Sequence, residues 1–319
     1  MKLLKKDSEN KRSIIFINIL IVICVIVFIA SLFVFLSHVK DAKNNHDEYK
    51  ELSNLVETVN NEDNNNSQDE KYDFTKLKEI NSDIVGWLKV PNTKIDYPVV
   101  QCETNDFYLN RDFEKKYDIR GSVYMDYRND AINFNKNTIL YGHNCYDGTI
   151  FSDIDKYNNI DFYKKAPYFE YINVNGKKTY KIYAVFITNA DKNEDNGNVF
   201  YYNTPSPDND FSGFVKEINK RRLYKTSVDI KENDSIMILS SCTRKMDLYN
   251  NGKRTYKANA RIAVVGRELR AGESLDIDVE SAVLNENPKY PQIWYDKYKK
   301  QNPYINDKTW YIGEENNGK

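Results

Sequence analysis

The sequence predicts a mainly β domain, either a closed barrel or a sandwich, held behind one N-terminal transmembrane helix. Two observations carry this. Seven short segments rich in β-branched and aromatic residues recur between Val85 and Val265. Most are bounded by Gly, Asn, Pro or Asp, as strands and their turns are. The second observation is an apolar run from Ile14 to Leu36, interrupted only by Asn18, Cys24 and Ser31. At about 1.5 Å per residue it is long enough to cross a bilayer.

Lys2, Lys5, Lys6, Lys11 and Arg12 precede the run. The positive-inside rule then makes residues 1–13 cytoplasmic, 14–36 a signal anchor, and everything after it extracellular. A cleaved signal peptide is the competing reading. Its apolar core is shorter, about 7–15 residues, and ends at a small-x-small site that this run lacks. Residues 37–71 are rich in Asn, Asp, Glu and Lys, with Asn60-Asn-Glu-Asp-Asn-Asn-Asn-Ser67 at their centre. They read as a stalk, part helical and part disordered, with nothing to bury.

The folded domain is expected over 72–270. Phe74–Ile80 reads as a short lead-in helix. The strands are Val85–Val90, Ile95–Val100, Gly121–Met125, Thr138–Tyr141, Tyr180–Phe186, Ser235–Leu239 and Ala260–Val265. Phe151–Tyr157 reads as helical. So does 211–224, with Phe211, Phe214, Val215, Ile218 and Leu223 near helical spacing and Asp208 or Asp210 as its cap. The strand pattern stops after Leu269. Residues 271–319 hold Trp294, Trp310 and several tyrosines among Asn, Lys and Glu. They read as a C-terminal extension: a packed or loose tail, or a docking segment for a partner or the cell wall.

Net charge is -1, with Lys and Arg interleaved among Asp and Glu, which speaks against a nucleic-acid partner. Cys24 lies in the span, leaving Cys102, Cys145 and Cys242 outside. An odd number leaves at least one free thiol in a compartment that permits disulfides. Of the three histidines, His38 closes the apolar run and His46 sits in the stalk. His143, in Tyr141-Gly-His143-Asn-Cys145, is therefore the one imidazole available to the domain. No second cluster of His, Cys or carboxylates is spaced to complete a metal site around it, and no cofactor is expected.

A thiol that attacks a carbonyl must be a thiolate, and the departing amine must be protonated. The tetrahedral intermediate also needs a partner for its oxyanion. Cys242, at the end of the strand-like run Ile238-Leu-Ser-Ser-Cys242, is the candidate nucleophile. His143 is the candidate acid and base. Arg261 lies in the apolar run Ala260-Arg-Ile-Ala-Val-Val265. An arginine there is costly to bury without a partner, so it is the candidate for the third role. Each has a plain structural reading as well: a hydrogen-bonding loop histidine, a core cysteine, an edge arginine.

Tyr141-Gly-His143-Asn, Leu239-Ser-Ser-Cys242-Thr and Ala260-Arg261-Ile-Ala-Val-Val-Gly, in this order behind a membrane anchor, resemble the sortases, cysteine transpeptidases of Gram-positive surfaces. The stretch 81–101, Gly121–Asn129, Asp147–Tyr157 and the helix at 211–224 are similar to class B. The resemblance covers residues 72–269. It implies a sortase-type closed eight-stranded β-barrel with added helices. It implies that Cys242 attacks a Thr carbonyl in a C-terminal sorting signal of a secreted protein. His143 would protonate the leaving amine, then deprotonate the incoming one, and Arg261 would steady the oxyanion or position the signal. The acyl group would pass to an amine of a peptidoglycan precursor or a pilin. By position, Asn105, Leu109 and Ser240 match residues that line the class B groove. Ser241 stands where the family commonly has Thr. The stretch between Cys242 and Arg261 is longer than usual and holds Arg244 and Arg254 as competing candidates.

Two other classes are weighed against this. An L,D-transpeptidase would place His and Gly just before its cysteine, where this chain has Ser240-Ser241. A non-catalytic surface binding or scaffold protein on a sortase-like barrel would leave Cys242 unreactive.

Overall fold

Eight strands close into a barrel in the structure, a computed structural model that describes residues 2–59, 71–191, 195, 199–207 and 210–307. They are β1 (Ile84–Lys89), β2 (Asp96–Val100), β3 (Val123–Met125), β4 (Asn137–Tyr141), β5 (Tyr168–Asn173), β6 (Gly176–Asn189), β7 (Ile236–Cys242) and β8 (Ala260–Glu268). Around the barrel the order is β7-β8-β6-β5-β1-β2-β3-β4, with β4 closing onto β7. The β4–β7 and β2–β3 pairs are parallel and the rest antiparallel. The expected eight-stranded closed barrel is therefore what the chain forms.

The alternation of side chains along a strand sets the two faces of β7 and β8. Met237 and Leu239, with Ile262 and Val264, join the larger core cluster. Ile236 and Ile238, with Ala263 and Val265, join a second cluster shared with Phe211, Phe214 and Ile218. Those three belong to the helix Phe211–Arg221, which covers the outer face of this part of the barrel. Each is fully buried, worth about 1.5–3 kcal/mol apiece. Asp210 caps the helix by accepting from Gly213 N at 2.7 Å, and the alternative cap Asp208 lies outside the described residues. Leu223, read as part of this helix, falls beyond its end and is buried against the larger cluster.

The strand β5 is absent from the seven read in the sequence. It pairs with both β1 and β6. Its turn into β6 spans Val174 and Asn175, followed by Gly176 at φ 130°, a conformation that favours glycine. The expected helix at 151–157 is a 3-10 helix, Ser152–Asn158.

The N-terminal unit, which ends at Asp47, lies along the helix Lys2–Ser53 and contains Phe16–Ser37, long and apolar enough to cross a membrane. The second unit, from Glu48, holds the barrel. The reading that residues 37–71 bury nothing is corrected here. Tyr49 and Leu52 are buried, and Tyr49 meets Tyr97 of β2 edge-on at 4.9 Å. Polar composition masked two apolar residues three apart, which share one helix face. The Asn-rich centre, 60–67, lies outside the described residues.

The C-terminal extension packs on the second unit. Val283–Leu284 pairs with Tyr224–Lys225. Ile293 and Tyr295 of the short helix Gln292–Tyr298 are buried. Asp307 receives Lys220 at 3.0 Å and Lys289 at 3.3 Å. Trp310 lies outside the described residues.

Candidate active site

The end of β4 and the end of β7 run side by side, because these strands are parallel neighbours with Tyr141 opposite Ser240. The histidine loop leaves one and the cysteine ends the other. Gly142 N donates to Ser240 O at 3.3 Å, and the Ser241 hydroxyl donates to Gly142 O at 2.8 Å. The Asn144 amide donates to Cys242 O at 3.0 Å, and Arg244 donates to Asn144 O at 2.8 Å. Four hydrogen bonds thus fix His143 relative to Cys242.

The loop beyond the histidine is tightly closed. Phe151 N donates to His143 O at 3.0 Å. Ile150 holds φ 53°, a left-handed conformation that a β-branched residue adopts only at a cost of about 1–3 kcal/mol. Its N–H donates to the Tyr97 hydroxyl at 3.1 Å, so β2 props the loop. A Cβ at Gly142 would lie 2.7 Å from the ring of buried Phe151, which leaves room only for glycine before His143.

The neighbouring Cys242 thiol raises the His143 pKa above its ordinary 6.5 against the opposing effect of burial. His143 Nε2 lies 2.8 Å from the Leu109 carbonyl. A carbonyl only accepts, so Nε2 carries the proton there, and Nδ1 is the ring nitrogen left for the thiol. Burial pushes the Cys242 thiol up, but the neighbouring His143 and the Arg261 charge outweigh it and hold the pKa below 9.0. For groups at 6.5 and 9.0, the imidazolium–thiolate form would be about 0.3% of the neutral pair. The two shifts run toward each other and enlarge that fraction.

Antiparallel pairing puts Cys242 directly opposite Arg261, at the register Cys242↔Arg261. Opposed residues in such a pair project on the same face. Ser240 and Cys242 lie on the face of Ile236 and Ile238, outside the barrel. Arg261 is half-buried at the start of β8. Its Nη1 donates to Asn259 Oδ1 at 2.8 Å and to Ala260 O at 3.2 Å. The long stretch before it is absorbed by a hairpin, Leu248–Asn250 with Lys253–Tyr256. The competing arginines are committed elsewhere. Arg254 pairs with Asp247 at 3.3 Å. Arg244 lies 3.7 Å over the Tyr146 ring and holds Asn144.

The three expected groove residues are placed differently from one another. Leu109 is at the exposed end of the 3-10 helix Phe107–Asn110, and its carbonyl holds His143. Ser240 is buried, with its hydroxyl 2.7 Å from that of Tyr202. Asn105 is tied to Asp126, donating to Oδ2 at 3.2 Å and accepting from Tyr127 N at 3.0 Å. Asp126 is a hub: it also accepts from Tyr141 at 2.9 Å and from Arg128 at 2.7 Å and 2.8 Å. It therefore joins the Asn105 loop to the strand end that carries His143.

The sortase domain family matches residues 88–267, more than half of the chain. The chain belongs to the sortase family. It is 31% identical over 261 residues to sortase B of Staphylococcus aureus, covering 82% of this chain and 98% of that protein. Against sortase B of Listeria monocytogenes the identity is 35% over 178 residues, 56% of this chain and 69% of that one. Among solved structures, a sortase B–substrate complex from S. aureus superposes with a TM-score of 0.53 at 34% identity, over 62% of this chain and 85% of the other. A protein similar to sortase B from Bacillus anthracis gives 0.56 at 29% identity, over 71% and 96%. These place the sortase in class B.

Sequence reasoning missed three groups in this sortase's site. The Leu109 carbonyl carries no side-chain signal. Asn144 stands in Tyr141-Gly-His143-Asn144 with nothing in the sequence to single out its amide. Asp126 sat unremarked in Tyr124-Met-Asp126-Tyr-Arg128, where a buried acid and an arginine two residues on could have marked it.

Proposed function

We propose that this sortase is a membrane-anchored cysteine transpeptidase acting on secreted proteins that carry a C-terminal sorting signal. The apolar helix Phe16–Ser37 anchors it, and the basic residues before that helix hold the N-terminus in the cytoplasm. The catalytic domain then works outside the cell. The observation that carries the reading is the convergence of a half-buried Cys242, a hydrogen-bonded His143 and the opposed Arg261.

Cys242 thiolate adds to a Thr carbonyl carbon in the signal, forming an S–C bond and placing charge on the oxygen. Arg261 stabilises that charge. The intermediate collapses as the C–N bond breaks, and His143 gives its proton to the leaving amine. A thioester remains. An amine of a peptidoglycan precursor or of a pilin then attacks, His143 takes its proton, and the S–C bond breaks to restore the thiolate. Asn105 and Leu109 line the groove for the signal, and Ser240, buried against Tyr202, backs it from beneath. Because one imidazole serves both steps, the His143→Ala variant is expected to stop turnover. Cys242→Ala is expected to form no acyl-enzyme with a sorting-signal peptide, read by mass spectrometry. Cleavage at the normal rate by Cys242→Ala would refute the proposal.

A further inference from the structure

The C-terminal extension reaches the loop that follows Cys242 through one lysine. Lys297, half-buried on the short helix Gln292–Tyr298, donates to the Lys245 carbonyl at 2.6 Å and to the Asp247 carbonyl at 2.7 Å. Between those carbonyls stands Met246, fully buried in the larger core cluster. Lys297 therefore holds the main chain on both sides of Met246. Hydrogen bonds from an ammonium group are charge-assisted and stronger than neutral ones.

The helix that carries Lys297 has a fixed base without it. Ile293 and Tyr295 are buried, and Gln292 N donates to Asp195 at 3.1 Å. Earlier in the extension, the Asn285 amide donates to the Arg222 carbonyl at 2.8 Å and Lys289 N donates to the Lys220 carbonyl at 2.7 Å. The extension is thus strapped to the helix Phe211–Arg221 and its end before it reaches the loop, so docking does not need the lysine. Burial pushes the Lys297 pKa down against the pull of Asp247. The ammonium has exchanged water for two loop carbonyls.

Two paths lead from the held turn into the site. Arg244, the residue before Lys245, donates to the Asn144 carbonyl at 2.8 Å, and the Asn144 amide donates to the Cys242 carbonyl at 3.0 Å. Asn144 follows His143 in the chain, so this path sets the imidazole against the thiol. The second path starts at Asp247. Its buried carboxylate accepts from Ala258 N at 3.0 Å, and the next residue, Asn259, accepts from Arg261 Nη1 at 2.8 Å. One ammonium group stands where the two paths meet.

We propose that Lys297 is a positioning residue for acyl transfer: it holds the loop after Cys242 so that Asn144 keeps His143 against the thiol and Arg261 stays opposite it. Lys297 acts through Asn144 and Asp247 rather than on the substrate. It lies beyond the residues matched by the sortase family, 88–267, so the device belongs to this chain's extension. The proposal rests on the transpeptidase reading above.

The test uses the full chain in detergent with a sorting-signal peptide as donor. Lys297→Met keeps most of the side-chain length and removes the donor. Ile293 and Tyr295 stay in place, so the midpoint of denaturant unfolding should remain close to wild type. The single-turnover acylation rate at saturating donor should fall about tenfold, inside the 10²-fold that about 1 Å of misplacement can cost. The half-saturating donor concentration should stay within about twofold. The pH limb for iodoacetamide alkylation of Cys242 should move to higher pH, because a thiol less well aligned with His143 and Arg261 loses part of what opposes the effect of burial. Lys297→Arg, whose fork can reach both carbonyls, should restore most of the rate and of the limb. Lys300→Met, which removes an exposed charge on the same extension, should change neither. Wild-type acylation by Lys297→Met, a change confined to the half-saturating concentration, or a loss that only follows the unfolded fraction would overturn the positioning role. So would equal losses in the Arg and Met variants, or an equal loss in Lys300→Met. Absence of donor cleavage by the wild type overturns the transpeptidase reading instead, and the alkylation limbs of the variants still decide whether Lys297 positions the thiol.

Discussion

Replacing Arg261 by methionine removes a charge at nearly constant volume, directly opposite Cys242. Opposed residues in an antiparallel pair have Cβ atoms about 4.5–5.5 Å apart, and the Arg261 charge already acts on the Cys242 thiol, so the guanidinium has the reach to meet an oxyanion formed on Cys242. A unit charge about 5 Å from an oxyanion, at an effective dielectric of about 20, is worth roughly 3 kcal/mol. Loss of one oxyanion donor costs a similar amount, about 2.7–4 kcal/mol or 10²–10³ in rate. Arg261→Met should therefore lower kcat/KM for acylation by about 10²–10³. The same charge helps hold the Cys242 pKa down, so the pH limb for alkylation by iodoacetamide should move to higher pH. Arg261→Lys keeps the charge and loses the planar fork, and should recover part of the rate and most of the alkylation limb. The assay is single-turnover acylation of a sorting-signal peptide, run beside iodoacetamide inactivation across pH. An Arg261→Met enzyme within about threefold of wild type, with an unmoved alkylation limb, would remove Arg261 from the mechanism.

Gly142→Ala should push the Phe151 ring or the histidine loop aside, costing about 1–3 kcal/mol in denaturant unfolding and cutting transfer more than stability alone explains; full activity would show that the loop has slack. Burial pushes Asp126 up, but its bidentate partner Arg128 outweighs that and holds the carboxyl below its ordinary 3.8. Its stabilisation is thus complete above the unfolded pKa and is lost as pH falls through the folded one. Asp126→Asn should cost about 3 kcal/mol at neutral pH and flatten the acid side of the stability curve, measured by unfolding at a series of pH values. Burial pushes the Cys145 thiol up to about 11 while Cys242 is lowered. A vinyl sulfone at neutral pH should therefore label Cys242 in its fast phase and spare Cys145, as peptide mapping would report, and Cys242→Ala should have no fast phase.

Strands with apolar or β-branched runs were legible one by one: β7 and β8 declare themselves in Ile236-Met-Ile-Leu239 and Ile262-Ala-Val-Val265. The strand β5 was not: Glu170 and Asn173 interrupt the apolar run of Tyr168-Phe-Glu-Tyr-Ile-Asn173, whose alternate residues are buried, and the plainer signal lay in the turn before Gly176. Tyr49 and Leu52 were hidden in a polar stretch for a related reason, since burial of two residues leaves composition almost unchanged. Among the candidate site residues, His143 stands out by elimination and Cys242 by its place at a strand end. Arg261 was one of three arginines, and its pairing depends on where a hairpin insertion delivers the chain. Leu109 acts through its carbonyl, which every residue has.

The sequence by itself determined the chemical inventory: one usable imidazole, a thiol ending an apolar strand, a span of membrane length, and the local turns that bound the strands. These are properties of composition and near neighbours. Only the tertiary structure decided which arginine stands opposite the thiol, which ring nitrogen of His143 is free, and that Lys297 of the C-terminal extension holds the loop that follows Cys242. Each depends on hydrogen bonds and contacts between residues far apart in the chain, and strand register propagates such a placement from β7 to β8 across any length of intervening loop.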